Sequence, residues 1–179
     1  MTLSPQDAAA ALHDIEAAES RSATLRDYQR AAPHFIIWGI LWVVGYGLSD
    51  GFPSHANAIW AAIVPIGVIA GIVAMRRSRS AVGWRYAGVM AAILAFFAAS
   101  AFVLAPVTGR QVAAVIPLFV ALMYVLRGIW AGPRYVVAGI AVAALTLAGF
   151  FLLHDHFSLW MAAVGGGALI LAGLWLRRA

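Results

Sequence analysis

The sequence predicts an all-α polytopic membrane protein: six transmembrane helices arranged as three hairpins, preceded by a cytoplasmic N-terminal helix. The 179-residue chain is 64% hydrophobic and only 11% charged, whereas a soluble domain is about 45–50% apolar and about 25% charged. Its apolar residues form long runs of the length that spans a bilayer. Short polar connectors separate these runs, and every second connector is rich in arginine.

The first 32 residues are predicted to form a cytoplasmic, partly amphipathic helix ahead of a six-helix transmembrane domain over 33–179. Acids fill the first half of this helix and arginines the second half, which is the order that the helix dipole favours. Its apolar stripe keeps a spacing of three and four residues but is thin and rich in alanine. The helix could lie on the membrane, cover the bundle, or bind a partner through residues 4–30.

Hydropathy places the six spans by their apolar content and by Trp and Tyr residues near their ends, as in interfacial belts. The predicted spans are Phe35–Leu48, Ala56–Met75, Tyr86–Val107, Val112–Leu126, Tyr135–Leu153 and Phe157–Leu176. The first and fourth are short for a bilayer and are expected to extend, the first back through Pro33 and the fourth through Trp130.

The arginines predict the orientation of the chain in a bacterial inner membrane. Eleven of the twelve fall on one side of the predicted spans, and only Arg110 falls on the other. This asymmetry predicts that both termini are cytoplasmic. The arginines at the span ends are interpreted as topology determinants that also attract lipid headgroups; they are Arg76, Arg77, Arg79, Arg127, Arg177 and Arg178.

The spans also suggest three hairpin repeats, over about 33–80, 81–130 and 131–179. Arg77, Arg127 and Arg177 close the even-numbered spans at intervals of 50 residues. Spans that cross the same membrane thickness would also give hairpins of equal length without any internal repeat. The 50-residue spacing therefore fits either a true repeat or equal span lengths alone.

Each even-numbered span carries a helix-weakening point at a similar depth, namely Pro65, Pro117 and the run Gly165, Gly166 and Gly167. Interrupted segments at matching positions of internal repeats indicate a transporter's binding site. We therefore expect these points to meet in the interior, either around a hydrated site or as kinks that seat neighbouring helices. Pro and Gly are also common in ordinary transmembrane helices.

The densest polar cluster lies in the predicted outer loops. His154, Asp155 and His156 form the last outer loop, and His55 lies in the first. Two imidazoles and a carboxylate could bind one divalent metal ion. A wet polar turn between two apolar helices explains the same residues without a metal.

Other classes of function find little support in the sequence. The chain has no cysteine, which excludes disulfides and thiol chemistry. Ionisable residues are absent from the middle of the predicted spans, where ion-coupled transporters place them. Motifs for intramembrane hydrolysis are also absent. We therefore expect no enzyme activity and no cofactor. The basic residues sit at helix ends, so nucleic acid is not an expected partner.

Several short segments resemble a family of small six-span bacterial inner-membrane proteins. The resemblance is carried by Asp14-Ile15-Glu16, Trp38-Gly39-Ile40-Leu41-Trp42, Ala105-Pro106-Val107 and Leu159-Trp160-Met161 through Leu174-Trp175-Leu176-Arg177-Arg178. It covers nearly the whole chain and implies the six-span fold without an activity. Three hairpins in six spans are also similar, in architecture only, to the acid-resistance membrane proteins of enteric bacteria.

Three functions follow from these observations. The leading one is a non-enzymatic inner-membrane protein that acts through helix packing and protein interaction, as a regulatory or stress-related component. The alternatives are a small permease or channel at the Pro and Gly breaks, and an outer-face metal or pH sensor. The membrane itself is the expected partner, and a homo-oligomer is compatible with the small-residue faces.

Reporter fusions test the predicted orientation. A reporter fused after Ala179 should behave as cytoplasmic, and one inserted near Ser54 or Asp155 should behave as periplasmic, because the arginines hold their connectors inside. Paired alkaline phosphatase and fluorescent-protein fusions measure this. A cytoplasmic signal from the Asp155 insertion would contradict the six-span topology.

Overall fold

The computed structural model describes residues 5–76 and 108–178, with the isolated positions 90, 93, 94, 97 and 98 between them. Side chains are described from residue 9 to residue 74 in the first of these ranges. Within these residues every regular element is helical. They are α1 (Pro5–Gly51), a short 3₁₀ turn (Pro53–His55), α2 (Ala56–Arg76), α3 (Gly109–Ala131), α4 (Pro133–Leu152), α5 (Phe157–Trp160), a π-helical segment (Met161–Gly166) and α6 (Gly167–Arg177).

The prediction of an all-α polytopic protein is confirmed at this level. Five helical stretches among the described residues are long and apolar enough to cross a membrane. α2, α3, α4 and the last stretch match the second, fourth, fifth and sixth predicted spans within a few residues, and α3 extends past Trp130 as expected. The third predicted span, Tyr86–Val107, lies outside the described residues apart from isolated positions.

The first predicted span is part of a single helix with the segment that precedes it. α1 runs for 47 residues and contains Pro33 in its interior. Proline removes one backbone donor and strains the preceding turn, but the ring of Pro33 is exposed and the helix continues through it. The predicted cytoplasmic helix and the first span therefore form one rod, about 70 Å long at 1.5 Å per residue.

The inner face of α1 is a seam of buried residues at alternating intervals of four and three. This spacing has a period of 3.5 residues, which keeps one face against neighbouring helices over several turns. The seam combines aromatic rings and small residues: Tyr28, Ala32, Phe35, Gly39, Trp42, Tyr46 and Ser49.

The small residues of the seam let α1 cross the last helix at very short range. A Cβ added to Gly39 would lie 2.9 Å from the carbonyl oxygen of Gly166, and one added to Gly166 would lie 2.9 Å from the carbonyl oxygen of Gly39. Two turns beyond, a Cβ on Gly173 would lie 3.0 Å from the carbonyl oxygen of Ala32. Such glycine-mediated backbone approach is how helices associate in lipid.

The large residues of the seam connect α1 to the other helices. Phe35 stacks on Tyr124 of α3 with ring centroids 4.3 Å apart. Tyr46 donates a hydrogen bond from its hydroxyl to the carbonyl of Ala113 at 2.7 Å, and its ring meets Trp60 of α2 at 4.9 Å. α1 is therefore the central helix of the described bundle.

The most extensive helix pairs in the described structure are α3 with α4, and α1 with the last helix. The first pair has its own close approach, since a Cβ on Gly139 would lie 2.6 Å from the carbonyl oxygen of Ala121. The short α3–α4 turn uses Gly132 at φ 120°, a backbone conformation that glycine adopts most easily. Neither pair corresponds to one of the predicted hairpin repeats.

Alanine substitutions test the α1 crossing because the chain offers matched glycines. Gly39→Ala and Gly166→Ala should each destabilise the fold by about 1–3 kcal/mol, since the new methyl group meets backbone of the facing helix. Gly47→Ala and Gly167→Ala are the controls, because nothing lies within 4 Å of their added Cβ. Thermal unfolding of all four variants in one detergent measures the difference, and equal effects at crossing and control positions would contradict the packing.

Candidate interaction site at the arginine-rich end

An ion pair joins α1 to α3 at the end of the bundle where the arginines lie. Nη2 of Arg127 donates to both carboxylate oxygens of Asp27, at 2.8 and 2.9 Å. The two side chains are 51% and 34% exposed. The pair links residues that are 100 positions apart in the chain, so it fixes the relative height of two helices.

A buried tyrosine adds α4 to this ion pair. Tyr135 is 0% exposed, and its hydroxyl donates to Oδ2 of Asp27 at 2.9 Å and to the Asp27 carbonyl at 3.2 Å. Its ring lies 5.3 Å from that of Tyr28, and the Arg127 guanidinium carbon lies 5.2 Å from its centroid. Asp27 therefore receives hydrogen bonds from two helices at once.

Arg134 connects the same cluster to the last helix. Its Nη1 donates to the carbonyl oxygen of Trp175 at 2.8 Å, which is one of the last carbonyls of α6 and lacks a helical partner. The guanidinium also lies 5.4 Å from the Tyr28 ring and 5.0 Å from the Trp175 ring. The backbone N–H of Arg134 donates to the Tyr28 hydroxyl at 3.4 Å.

These contacts form one unit, which we call the arginine-end cluster. It joins α1, α3, α4 and α6, and it comprises Asp27, Tyr28, Arg127, Arg134, Tyr135 and Trp175. The cluster holds α1 at the point where the helix leaves the bundle.

Beyond the cluster, the N-terminal half of α1 projects from the described bundle after Thr24, whose methyl group lies beside Gly132. Residues 9–26 are exposed except for two partly covered positions. The apolar side chains of Leu12 and Ile15 are 58% and 56% exposed. From residue 5 to residue 26 this projecting half is about 33 Å long. It is an uncovered helix attached rigidly to the centre of the bundle.

An open groove of about 660 Å³ lies beside the cluster, between α1 and α3. One wall belongs to α1 and the other to the last two turns of α3. Its lining residues are Ala23, Thr24, Asp27, Met123, Leu126, Arg127, Trp130 and Ala131.

The predicted arginine determinants divide between described and undescribed positions. Arg127 belongs to the cluster, and Arg177 and Arg178 are exposed beside it at the end of α6. Arg110 lies at the opposite end, where its guanidinium carbon is 4.9 Å from the Phe150 ring. The side chains of Arg76, Arg77 and Arg79 lie outside the described residues.

The structure brings only part of the predicted midplane site inside. Pro117, Gly165 and Gly166 are buried, and Gly167 is partly buried. Pro65, however, is exposed. The expected meeting of all three breaks is therefore not found, because the face of α2 that packs on α1 is the one with Gly67, whose added Cβ would meet Leu41 and Trp38.

The helix-weakening point in the last span is a π-helical segment, and side chains occupy the space beside its glycines. A Cβ on Gly165 would lie 2.7 Å from the Met161 methyl carbon and 3.6 Å from the Trp42 ring. On the N-terminal side of this segment, Trp160 donates from its indole nitrogen to the carbonyl of Leu145 at 2.8 Å. The extra residue of a π turn lets the two halves of the helix face different partners.

The predicted metal ligands are not assembled. His55, His154, Asp155 and His156 are all exposed. Among the described residues, no group of three or more His, Cys, Asp or Glu side chains could hold a metal ion.

Sequence reasoning missed most of the arginine-end cluster. Tyr135 enters the sequence-based prediction only as the first residue of the fifth span, and Arg134 enters it only as one of the eleven arginines on the same side of the spans. Asp27 is an acid between Arg26 and Arg30, close to the predicted membrane boundary. A lone carboxylate in that position is a signal for an ion pair with a neighbouring helix.

Comparison with known proteins adds no relative: no family model, curated protein or solved structure matches this chain.

Double-mutant cycles test how the cluster is held. The coupling between Asp27 and Arg127, from Asp27→Ala and Arg127→Gln, should be about 0–1 kcal/mol because both side chains are partly exposed. It should vanish near 1 M salt, where the Debye length is about 3 Å. The coupling between Asp27→Ala and Tyr135→Phe should be about 1.5–3 kcal/mol and insensitive to salt, since Tyr135 is buried. Unfolding free energies at low and high salt measure both, and the same salt dependence for the two couplings would contradict this assignment.

Proposed function

We propose that this chain is a non-enzymatic integral membrane protein that acts by protein interaction through the N-terminal half of α1. In this proposal it spans the bacterial inner membrane six times as three hairpins, with both termini in the cytoplasm. It serves as a regulatory or stress-related component. The observation that carries the proposal is that residues 9–26 are uncovered while the same helix forms the centre of the bundle.

The projecting helix has the chemistry of a protein-binding segment. Leu12 and Ile15 lie three residues apart and so on one face, which matches the spacing by which a helix binds an apolar groove. The surrounding acids, Asp14, Glu16 and Glu19, are exposed. They disfavour nucleic acid and an anionic membrane surface as the occupant of this segment, and they favour a protein with a basic rim.

The position of the cluster supports a regulatory role. A partner on residues 9–26 would pull on a helix that is anchored at Asp27 to α3 and α4. Because α1 is continuous through Pro33, a tilt of its projecting half reaches the Gly39 crossing without passing through a loop. Binding on the cytoplasmic side and packing inside the membrane are thereby coupled in one rigid element.

The permease alternative has a weaker basis. Its support is that Pro117 and the π-helical segment lie in the interior, where interrupted helices of transporters place their sites. Against it, the space beside the π-helical segment holds Met161 and Trp42, and Pro65 faces outward. A metal or pH sensor has no assembled ligand set to support it.

Site-specific photo-crosslinking in cells tests the proposed interaction. A benzophenone side chain at position 12 or 15 should give a discrete protein adduct, because these positions share the exposed apolar face. The same probe at position 14 points to the opposite side of the helix and should give at least several-fold less. The double variant Leu12→Asp and Ile15→Asp should abolish the adduct from a probe at position 11.

The melting temperature of that double variant provides the control. It should match the wild type within a few degrees, because both side chains are already exposed and such substitutions usually change stability by less than about 0.5 kcal/mol. Equal crosslinking from positions 12 and 14, or adducts with lipid alone, would contradict the proposal.

A further inference from the structure

The groove beside the arginine-end cluster changes from apolar to charged along the direction of the helices. Met123 lies deepest on α3, Leu126 and Arg127 follow one turn later, and Trp130 lies at the mouth, where it is 91% exposed. On the opposite wall Asp27 lies level with Arg127. This order of an apolar wall followed by a charged pair and an exposed indole matches the passage from acyl chains to the headgroup level of a phospholipid leaflet, where interfacial aromatic residues lie.

Arg127 and Asp27 each keep hydrogen-bonding positions that their ion pair does not use. The Arg127 guanidinium has five N–H donors; Nη2 is engaged with Asp27, the Tyr135 hydroxyl also interacts with the guanidinium, and further donors remain. The Asp27 carboxylate offers about four acceptor positions and receives three hydrogen bonds, two from Arg127 and one from Tyr135. Both groups are partly exposed at the groove, so an additional anion and an additional cation can each find a partner there.

We propose that this groove binds a phospholipid whose headgroup carries a primary ammonium close to its phosphate. The phosphate contacts Arg127, the ammonium contacts Asp27, and the acyl chain lies along Met123 and Leu126. Trp130 closes the mouth of the groove at the headgroup level.

The paired charges of the groove select for a zwitterionic headgroup with N–H donors. An anionic headgroup without an ammonium would satisfy Arg127 but bring a negative charge close to Asp27. A trimethylated ammonium carries the charge but no N–H donor, so it cannot form the charge-assisted hydrogen bond to the carboxylate. A primary ammonium supplies both the charge and the donors. The preference is therefore for phosphatidylethanolamine over phosphatidylcholine and phosphatidylglycerol.

Native mass spectrometry of the full-length chain tests this preference. The protein is released from detergent in the presence of equimolar phosphatidylethanolamine, its N-methyl and N,N-dimethyl forms, phosphatidylcholine and phosphatidylglycerol, all with the same acyl chains. Retention should fall with each added methyl group. From the first lipid to phosphatidylcholine it should fall about threefold to tenfold, which corresponds to about 0.7–1.4 kcal/mol. Equal retention along the methyl series would overturn the proposal without any mutation.

Matched substitutions assign the effect to the groove. Asp27→Asn should abolish the preference for the primary ammonium, and Arg127→Gln should lower retention of every phospholipid in the series. Asp14→Asn and Arg178→Gln remove the same charges at exposed positions outside the groove, and both should leave the order of lipids unchanged. An unchanged order in Asp27→Asn, or an equal loss in Arg178→Gln and Arg127→Gln, would place the binding elsewhere.

A soluble headgroup separates a lipid site from a site for a small phosphorylated amine. Glycerophosphoethanolamine at the same concentration should not displace the bound lipid, because it lacks the chains that contact Met123 and Leu126. Full displacement would overturn the assignment of those two residues and of the lipid as ligand.

Discussion

Helices in lipid gain little from packing one leucine against another, so their association depends on how closely their backbones and polar groups can meet. In this protein that requirement is met where Gly39 and Gly166 face one another, each within reach of the other's carbonyl oxygen. The crossing places Trp42 and Tyr46 in the interior on one side of it and Phe35 on the other. Their rings then reach α2, α3 and α4. The other described contacts of α1 follow from this one approach.

The arginine-end cluster completes what the glycine crossing begins. The close approaches at Gly39 and at Ala32 hold α1 against the last helix but leave the heights and rotations of α3 and α4 free. The hydrogen bonds of Asp27 remove that freedom for α3 and α4, and Arg134 does the same for α6. The N-terminal half of α1 is held in the same orientation as the seam, because both belong to one uninterrupted helix. An exposed helix held so firmly can report on the bundle, or act on it, in a way that a tethered flexible segment cannot.

Hydropathy and charge predicted the parts of the structure that depend on the membrane. They located the ends of α2, α3, α4 and the last helix, and the arginines at 127, 134 and 177 do lie together at one end. They could not predict which face of a helix is buried. Pro65 and Pro117 follow nearly the same local sequence, yet one is exposed and the other is buried. The difference lies in the neighbours: α2 meets α1 through Gly67, whereas Pro117 is fully buried on α3, which packs most extensively on α4.

The same limit explains why the ion pair was missed. A pattern search reads residues within a few turns of one another, and Asp27 and Arg127 belong to different helices. Similarly, three consecutive glycines indicated a weak point in the last helix, but not that it would take the form of a π turn. That form depends on two separate contacts of the last helix. Trp160 donates a hydrogen bond to a carbonyl of α4, and Gly166 packs against Gly39 of α1. Local sequence can indicate where a helix departs from α-helical geometry. The form of that departure is determined by the packing of the two halves of the helix.

The pairing of α1 with the last helix also has a consequence for biosynthesis. Chains are made from the N-terminus, so the seam of α1 enters the membrane before its most extensive partner is translated. Until residues 161–177 have left the ribosome, Gly39, Trp42 and their neighbours must face lipid or a transient companion such as an insertion chaperone. The described bundle can therefore close only after residues 161–177 have been synthesised. A chain truncated before Gly166 would leave its central helix without its main partner. The uncovered seam of α1 is then the feature by which membrane quality control could recognise the incomplete chain.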